Sequence, residues 1–328
     1  MPHPTPQKIW DLNEKELLTL LESGTLKPLQ NHICFYAPSF SYYNNKHFCT
    51  SRQHFPTISV TGNACALNCK HCGGKVLETM HPAPTPIQLW SLGLKLKGEG
   101  AKGVLVSGGC LPDGSVPLDE AAPVLGKFKR ELGLTVFVHT GIINLETALA
   151  LKDAGVDAAL IDVLGSDETL QKIFNINATL GDYMDSLKAL NEAKLNLVPH
   201  IIVGLNNGKL DGELHALEII MQSNPSAIVI IAFMPIHGTE MAKSPSPEPL
   251  DIAKVIATAR IMFPQTPLAL GCMRPKGKIR TEIDLLALKA GVDAIAFPSQ
   301  EAVQYAKTQG YTTTFSSHCC AQIYREPY

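Results

Sequence analysis

Apolar positions along the chain follow a regular alternation from residue 57 onward. Short apolar or β-branched runs recur eight times, and a longer segment with apolar residues at helical spacing follows each run. Eight such alternations predict parallel strands connected by helical crossovers. The predicted strands span 57–61, 104–107, 135–139, 158–163, 198–203, 227–233, 267–271 and 294–298, and the predicted helices span 87–97, 118–132, 145–153, 184–193, 212–221, 249–263, 282–289 and 300–308.

This alternation predicts an α/β protein, with a (β/α)8 TIM-type barrel at residues 57–310. Residues 1–56 form an N-terminal extension, with a helix over 12–23 and an aromatic stretch expected to cover one end of the barrel. Residues 311–328 form a cysteine-containing C-terminal tail, which is expected to fold over the active face of the barrel. A doubly wound open sheet is the alternative, but no G-x-G-x-x-G turn follows the first predicted strand.

Composition and charge narrow the class of partner. The chain of 328 residues is 45% hydrophobic and 18% charged, which suits a buried parallel sheet. A formal net charge of −2 does not indicate the basic surface that binding to nucleic acid or anionic lipid requires. The longest apolar runs are too short to cross a bilayer, and the first residues lack a charged segment followed by an apolar one. We therefore expect a cytoplasmic protein whose partners are small molecules or proteins, with no nucleic acid or membrane partner.

Three cysteines follow the first predicted strand within eight residues. On a loop, Cys65, Cys69 and Cys72 can converge on one point, which is most simply a metal site. Three thiolates leave one iron of a four-iron cluster open to an exchangeable ligand. A zinc site that adds His71 would need two adjacent residues on one ion, which the backbone makes awkward. Three buried, unligated thiols are the remaining alternative.

The spacing C-x3-C-x2-C, with His71 before the last cysteine, resembles the signature of the radical S-adenosylmethionine (SAM) superfamily. The resemblance implies that Cys65, Cys69 and Cys72 bind a 4Fe–4S cluster, and that the amino and carboxylate groups of SAM chelate its open iron. It further implies that an electron, supplied by a donor such as ferredoxin, cleaves SAM to methionine and a 5′-deoxyadenosyl radical.

Further cofactor contacts are expected at the carboxyl ends of the strands, where barrels carry their active sites. The segment 107–110 stands where the superfamily has a short Gly-Gly motif, usually ending in Glu, that meets the amino group of SAM; Cys110 takes the place of the Glu. As alternatives, Gly-Gly is a tight turn and Asp162 a helix N-cap. The expected cofactor-binding residues are His71, Ser107, Gly108, Gly109, Asp162 toward the ribose, and Ile201, Gly204 and Met234 toward the adenine.

Six cysteines remain outside the first loop. The hypothesis is a second cluster held by Cys110, Cys272 and one or both of Cys319 and Cys320. His139, His200 and Arg274 are substitute ligands, although each histidine is also a plausible hydrogen-bonded core residue. The pair Cys34 and Cys49 is the rival set, and incidental free thiols are the third alternative.

The segment 235–239 and the surplus cysteines resemble the biotin-synthase branch, which inserts sulfur into unactivated C–H bonds. Within that branch, segments 58–62 and 270–277 and the closing Cys-Cys pair are similar to the two-component lipoyl synthases of archaea and some bacteria. The resemblance implies an octanoyl group on a carrier-protein lysine as substrate and a second radical SAM protein as partner. The alternatives are a biotin-synthase-like or other cofactor-biosynthesis enzyme such as a methylase or lyase, a non-catalytic iron–sulfur protein, and an interaction protein on a degenerate barrel.

Overall fold

A computed structural model describes residues 5–38, 43–44, 48–50 and 54–325. Two helices open the chain, α1 (Pro6–Trp10) and α2 (Glu14–Glu22), and α2 begins at a capping box in which Asn13 and Glu16 bond each other's backbone N–H groups. The strands that follow are β1 (His32–Tyr36), β2 (Thr57–Ser59), β3 (His81–Pro82), β4 (Gly103–Ser107), β5 (Thr135–His139), β6 (Ala158–Asp162), β7 (Leu197–Val203), β8 (Ile228–Ala232), β9 (Leu268–Leu270), β10 (Ala294–Ala296) and β11 (Thr312–Ser316).

Helices separate most of these strands and cover the outer face of the sheet. They are α3 (Pro86–Gly98), α4 (Ala122–Arg130), α5 (Leu145–Asp153), α6 (Asp167–Ile173), α7 (Leu180–Glu192), α8 (Glu213–Met221), α9 (Pro249–Met262), α10 (Lys278–Lys289) and α11 (Gln300–Thr308), with 3₁₀ helices at Lys75–Thr79 and Cys320–Arg325. None of the helices in the described part of the chain is both long and apolar enough to cross a membrane.

All strands of the sheet run parallel, in the order β11-β1-β10-β9-β8-β7-β6-β5-β4-β2-β3. The eight predicted strands are present, and the α/β barrel fold is confirmed. A closed eight-stranded ring would pair β10 with β2. Instead β10 pairs with β1, and β1 with β11, so residues assigned to the two extensions contribute strands. The sheet ends at β11 and β3, which do not pair within the described residues, and the architecture is a partial barrel.

Two buried cores flank the sheet. The outer core lies between the strands and the helices, and the inner core fills the lumen of the barrel. Lumen-facing strand residues are often alanine, which leaves room for another element. The 3₁₀ helix Cys320–Arg325 occupies that room, packs against β1, β8, β9 and β10, and buries Ala321 and Ile323 completely.

The C-terminal tail was expected to fold over the active face, and this expectation is wrong. The tail enters the lumen and reaches the amino end of β6, where the Tyr324 hydroxyl donates to the Asp157 carbonyl (2.8 Å). The physical reason is the volume left by the small lumen residues, which burial of the tail fills with apolar contacts.

Candidate functional site

The three-cysteine loop leaves the carboxyl end of β2 in a folded turn. The Ser59 hydroxyl donates to the Gly62 carbonyl (2.6 Å), and the N–H of Gly73 donates to the Cys69 carbonyl (2.7 Å). Gly73 needs a positive φ of 51° to close this turn, which glycine adopts at low cost. The loop gathers the Cys69 and Cys72 sulfurs and a ring nitrogen of His71, with all three atoms within 4.8 Å of one another.

The Gly-Gly segment after β4 is packed directly against this loop. The Thr61 hydroxyl accepts a hydrogen bond from the Gly109 N–H (2.7 Å), and the Ala66 N–H donates to the Cys110 carbonyl (2.8 Å). A Cβ atom on Gly109 would lie 2.0 Å from the Ala64 carbonyl oxygen and 2.6 Å from the Cys65 Cβ. Glycine is therefore required by a close backbone approach, which a simple βα turn would not need.

A third contact comes from the end of α6, a helix that sequence reasoning missed. The Cys69 sulfur lies 3.1 Å from the Phe174 carbonyl oxygen, the Asn175 side-chain amide donates to the Leu67 carbonyl (2.9 Å), and the His71 and Phe174 rings lie 4.9 Å apart. The available signal was Ser166 followed by two acidic residues, a helix start. Asn175, at a φ of 51°, reverses the chain after the helix.

The segment 235–239 also reaches the three-cysteine loop. The Thr239 methyl lies 3.7 Å from the position of a Cβ on Gly73, and the Met241 N–H donates to the Lys70 carbonyl (3.2 Å). Met234 is half-buried at the start of this segment. Loops after β2, β4, β6 and β8 therefore meet at one place.

The thiols of this loop are electrostatically coupled. A hydrogen bond from Cys69, together with the neighbouring His71, lowers the pKa of Cys72 to about 4 despite burial. The same hydrogen bond and burial raise the pKa of Cys69. Burial, then the charges of Cys65 and Asp162, raise the pKa of Cys110 to about 12. One thiolate is thus favoured before any metal binds, as nucleophilic metal-binding thiols require.

The donor set fits a thiolate-bound cluster. Soft sulfur ligands are those that iron–sulfur clusters and zinc prefer, and His71 Nδ1 is buried with no hydrogen-bond partner. A zinc ion would have to use the adjacent His71 and Cys72 together. Cys65 is not among the three side chains that meet within 4.8 Å; it lies on the same loop, with its Cα and Cβ packed against Gly109.

Two histidines and an aspartate line the lumen, His139 and Asp162 at the carboxyl ends of β5 and β6 and His200 in the middle of β7. His139 Nε2 lies 3.6 Å from Asp162 Oδ1, and the His139 and His200 rings are 5.5 Å apart. Burial would lower the pKa of His139, but Asp162 raises it on balance. Burial would raise the pKa of Asp162, but His139 and His200 lower it on balance. The carboxylate is therefore ionised at neutral pH, and its Oδ1 has no hydrogen-bond donor.

His200 differs from His139 in the direction of its pKa shift. Its Nδ1 lies 3.0 Å from the Val198 carbonyl, and burial followed by the charge of His139 lowers its pKa to about 4. The imidazole is neutral, so Nδ1–H donates to this carbonyl and Nε2 is left as an acceptor.

Of the predicted adenine residues, Ile201 lies on β7, Gly204 directly follows β7, and Met234 follows β8. The Ile201 side chain is buried in the outer core, so the expectation that it packs against a ligand is wrong; strand alternation puts Ile202 on the lumen side. Gly204 follows at a φ of 74°, with its N–H donating to Glu213 Oε1 (2.8 Å). Glu213, which sequence reasoning missed, also accepts from the Asp211 N–H (2.6 Å) and fixes this turn.

The residues assigned to a second cluster divide between the two cores. Cys272, Cys319 and Cys320 border the lumen, together with Cys34, whereas Cys110 packs against the outer core with the first three cysteines. Burial and Cys320 raise the pKa of Cys272 to about 12. The set that includes Cys110 is therefore not one group, because β4 and β9 lie on opposite sides of the partial barrel.

The rival and substitute ligands are also located. Cys49 is exposed and pairs through the backbone with Asn44. Arg274 is fully buried, and Nε and one terminal nitrogen donate to Asp284 Oδ1 at 3.0 and 2.8 Å. That pairing occupies the guanidinium, so Arg274 is unsuited to a ligand role.

Comparison with known families shows the family to which the chain belongs. The sequence profile of the radical SAM superfamily matches residues 59–214, and that of the Biotin and Thiamin Synthesis associated domain matches residues 230–319. The chain belongs to the radical SAM superfamily. Its branch is the biotin-synthase-like one, and its cofactors are a 4Fe–4S cluster and SAM.

Curated relatives of this radical SAM protein carry the name biotin synthase. That of Coxiella burnetii (strain RSA 493 / Nine Mile phase I) is 30% identical over 186 residues, covering 56% of this chain and 57% of the relative. That of Prochlorococcus marinus (strain MIT 9515) is 26% identical over 248 residues, covering 73% and 72%. The chain spans little more than half the length of the first of these relatives.

Solved structures share the fold of this radical SAM protein at low identity. The [FeFe]-hydrogenase maturase HydG superposes with a TM-score of 0.66 at 18% identity, covering 98% of this chain and 73% of that one. Methylornithine synthase (PylB) superposes with a TM-score of 0.62 at 14% identity, covering 95% of both chains. At this identity the likeness extends to the fold alone.

Proposed function

We propose that this protein is a radical SAM enzyme that cleaves SAM reductively and inserts sulfur into an unactivated C–H bond. The observation that carries the proposal is the presence of two separate thiol groups within one partial barrel. Cys65, Cys69 and Cys72 lie on the loop after β2, while Cys272, Cys319 and Cys320 border the lumen. One group serves to generate a radical, and the other serves sulfur delivery.

In this proposal Cys65, Cys69 and Cys72 hold the first cluster. When bound, the cluster supplies the electron that breaks a carbon–sulfur bond of SAM. The backbone at Gly108 and Gly109 receives the amino group of SAM, because no side chain obstructs its approach. Asp162 accepts hydrogen bonds from ribose hydroxyls, because its Oδ1 makes no hydrogen bond and its ion-pair partner, His139 Nε2, is 3.6 Å away.

The adenine is proposed to lie between the turns after β7 and β8. The Gly204 turn, held by Glu213, and the backbone at Met234 border this place. The Phe233 N–H donates to the Val203 carbonyl (2.8 Å), which ties the two turns together. A rigid pair of turns suits a flat ring that is held by backbone groups.

Cys272, Cys319 and Cys320 are proposed to ligate a second cluster that is the source of sulfur. Cys319 and Cys320 reach it because the tail enters the lumen. His139, Asp162 and His200 lie on β5, β6 and β7. In the order of the sheet these strands stand between β2, which precedes the first loop, and β9, which precedes Cys272.

The substrate proposed is an octanoyl group on a lysine of a carrier protein, processed with a second radical SAM protein and an electron donor such as ferredoxin. The second candidate function is biotin-synthase-like sulfur insertion or another cofactor-biosynthesis reaction. The match of residues 230–319 to the Biotin and Thiamin Synthesis associated domain favours it.

The test is anaerobic reconstitution, followed by iron and sulfide analysis and turnover with SAM, a reductant and an octanoylated carrier peptide, with and without the candidate partner. We expect about eight irons per chain, as two four-iron clusters require, and a peptide mass increase that corresponds to added sulfur. About four irons, with deoxyadenosine but no sulfur in any product, would contradict sulfur insertion. Replacing Cys272, Cys319 and Cys320 together by Ser should abolish sulfur transfer, whereas Cys49→Ser, at an exposed thiol, should not.

A further inference from the structure

Cys110 belongs to the first thiol group by its position in the structure. Its carbonyl accepts from the Ala66 N–H (2.8 Å), and the preceding Gly109 touches the Cys65 backbone so closely that no Cβ fits between them. Two loops are thus held together at this point, each carrying cysteine. The thiol of Cys110 is half-buried on the same side of the sheet as Cys65 and Cys72.

Cys110 and the loop that carries Cys65, Cys69 and Cys72 pack against the same outer core. His71 is the other donor at hand, but it directly precedes Cys72 in the chain. Cys110 comes from a separate strand end, and so it can approach a metal from a different direction.

We propose that Cys110 is a reserve ligand, which binds the fourth iron of the first cluster when SAM is absent and which SAM displaces. This inference rests on the proposed assignment of that cluster to Cys65, Cys69 and Cys72. A three-thiolate cluster has one iron with an exchangeable position, and a thiol on a segment held against Cys65 fills that position intramolecularly.

The exchange is balanced without any redox change. Cys110 loses its thiol proton to solvent as the sulfur–iron bond forms, because a coordinating thiol is deprotonated. When the amino and carboxylate groups of SAM take the iron, the sulfur–iron bond breaks and Cys110 regains a proton. Cys110 therefore opposes SAM binding, and this sign distinguishes it from a residue that contacts SAM.

The test is the affinity of the reconstituted protein for SAM, measured by anaerobic calorimetry on wild type and Cys110→Ala. If the capped state is nine-tenths populated, removal of the cap strengthens SAM binding roughly tenfold. An unchanged affinity overturns the proposal, and so does a weaker one, which would indicate a direct contact with SAM. Cys49→Ala is the matched control, because it removes an exposed thiol elsewhere and should leave the affinity unchanged.

A spectroscopic measurement on the wild type keeps the proposal testable if Cys110→Ala folds poorly. In the reduced, SAM-free protein, only about one-tenth of the clusters should show hyperfine coupling to ¹⁷O-labelled water, because sulfur occupies the fourth iron of the capped nine-tenths. Coupling from most of the clusters in the SAM-free wild type would overturn the proposal. Failure of the cluster assignment itself looks different, since Cys65→Ala would then retain the full first cluster.

Discussion

At the scale of single residues, the geometry and charge of the site depend on a few positions that tolerate little change. Gly109 meets the Ala64 carbonyl and Cys65 at distances that leave no room for a side chain. Asp162 carries an ionised carboxylate whose state depends on two histidines on neighbouring strands. Both residues act on the site through geometry and charge, so each can be tested by a single substitution.

We expect Gly109→Ala to displace the three-cysteine loop, because the added methyl would clash with backbone atoms that cannot move alone. Overpacking of this kind costs about 1–3 kcal/mol, and the iron bound after reconstitution should fall to less than half of the wild-type amount. Gly98→Ala is the control, since no atom lies within 4 Å of a Cβ there and the position ends a helix. Equal iron in Gly109→Ala and wild type would refute the close approach.

The pair His139 and Asp162 predicts a pH dependence of stability. The pKa of His139 is raised on balance by Asp162, so the pair stabilises the fold below the unfolded histidine pKa of about 6.5. The contribution is lost as the pH rises through the folded pKa. His139→Gln should lower the urea midpoint of the metal-free protein more at about pH 6 than at about pH 9. An equal decrease at both values would show that the ion pair contributes nothing.

At the scale of elements, the local sequence was sufficient to predict those strands and helices whose hydrophobic pattern and end signals lie within the element itself. The helix predicted over 300–308 is α11, with Ser299 as its N-cap and Gly310 beyond its end. All eight apolar runs are strands because each is bounded by glycine, proline or polar residues. The seven-residue helix α6 was missed, because it is too short for a periodic signal.

Long-range pairing could not be predicted from the same patterns. β1 lies beside Pro38 in an aromatic stretch, and its partners β10 and β11 are more than 250 residues away in sequence. The three-cysteine motif was readable because its spacing is local. The grouping of Cys110 with that motif depends on the pairing of β2 with β4, which no local spacing encodes.

The loop after β9 is joined to α10 by a buried ion pair that predicts a large effect. Asp284 is fully buried and accepts two hydrogen bonds from Arg274. Asp284→Asn leaves the Arg274 charge without its counterion, which costs about 3–5 kcal/mol in free energy of unfolding. Lys75→Gln, in an exposed pair with Glu78, should change it by less than about 1 kcal/mol. Similar losses from the two variants would contradict this account of the loop.

At the scale of the whole molecule, segments near both ends of the chain complete the partial barrel. β1 and β11 extend the sheet past the eighth predicted strand, and the tail then fills the lumen that the short strands enclose. The tail is thereby part of the core, and it carries Cys319 and Cys320 to the barrel interior. The position of the tail in the lumen therefore contributes to the stability of the fold and also brings the second thiol group together.

We expect Ile323→Ala to lower the free energy of unfolding by about 3 kcal/mol, because it opens a cavity at a side chain with no exposed surface. Leu149→Ala, at a side chain that is 45% exposed on α5, should cost less than about 1 kcal/mol. Urea unfolding of both variants gives the comparison. A negligible loss for Ile323→Ala would mean that the tail does not occupy the lumen in solution.

The claim on which the function depends is that Cys65, Cys69 and Cys72 hold a cluster that cleaves SAM. The most direct measurement is 5′-deoxyadenosine formed from SAM after anaerobic reconstitution and reduction, compared between wild type, Cys69→Ala and Cys49→Ala. We expect deoxyadenosine from wild type and Cys49→Ala and none from Cys69→Ala. Equal formation by Cys69→Ala, or none from a wild type that carries its full iron, would contradict the claim.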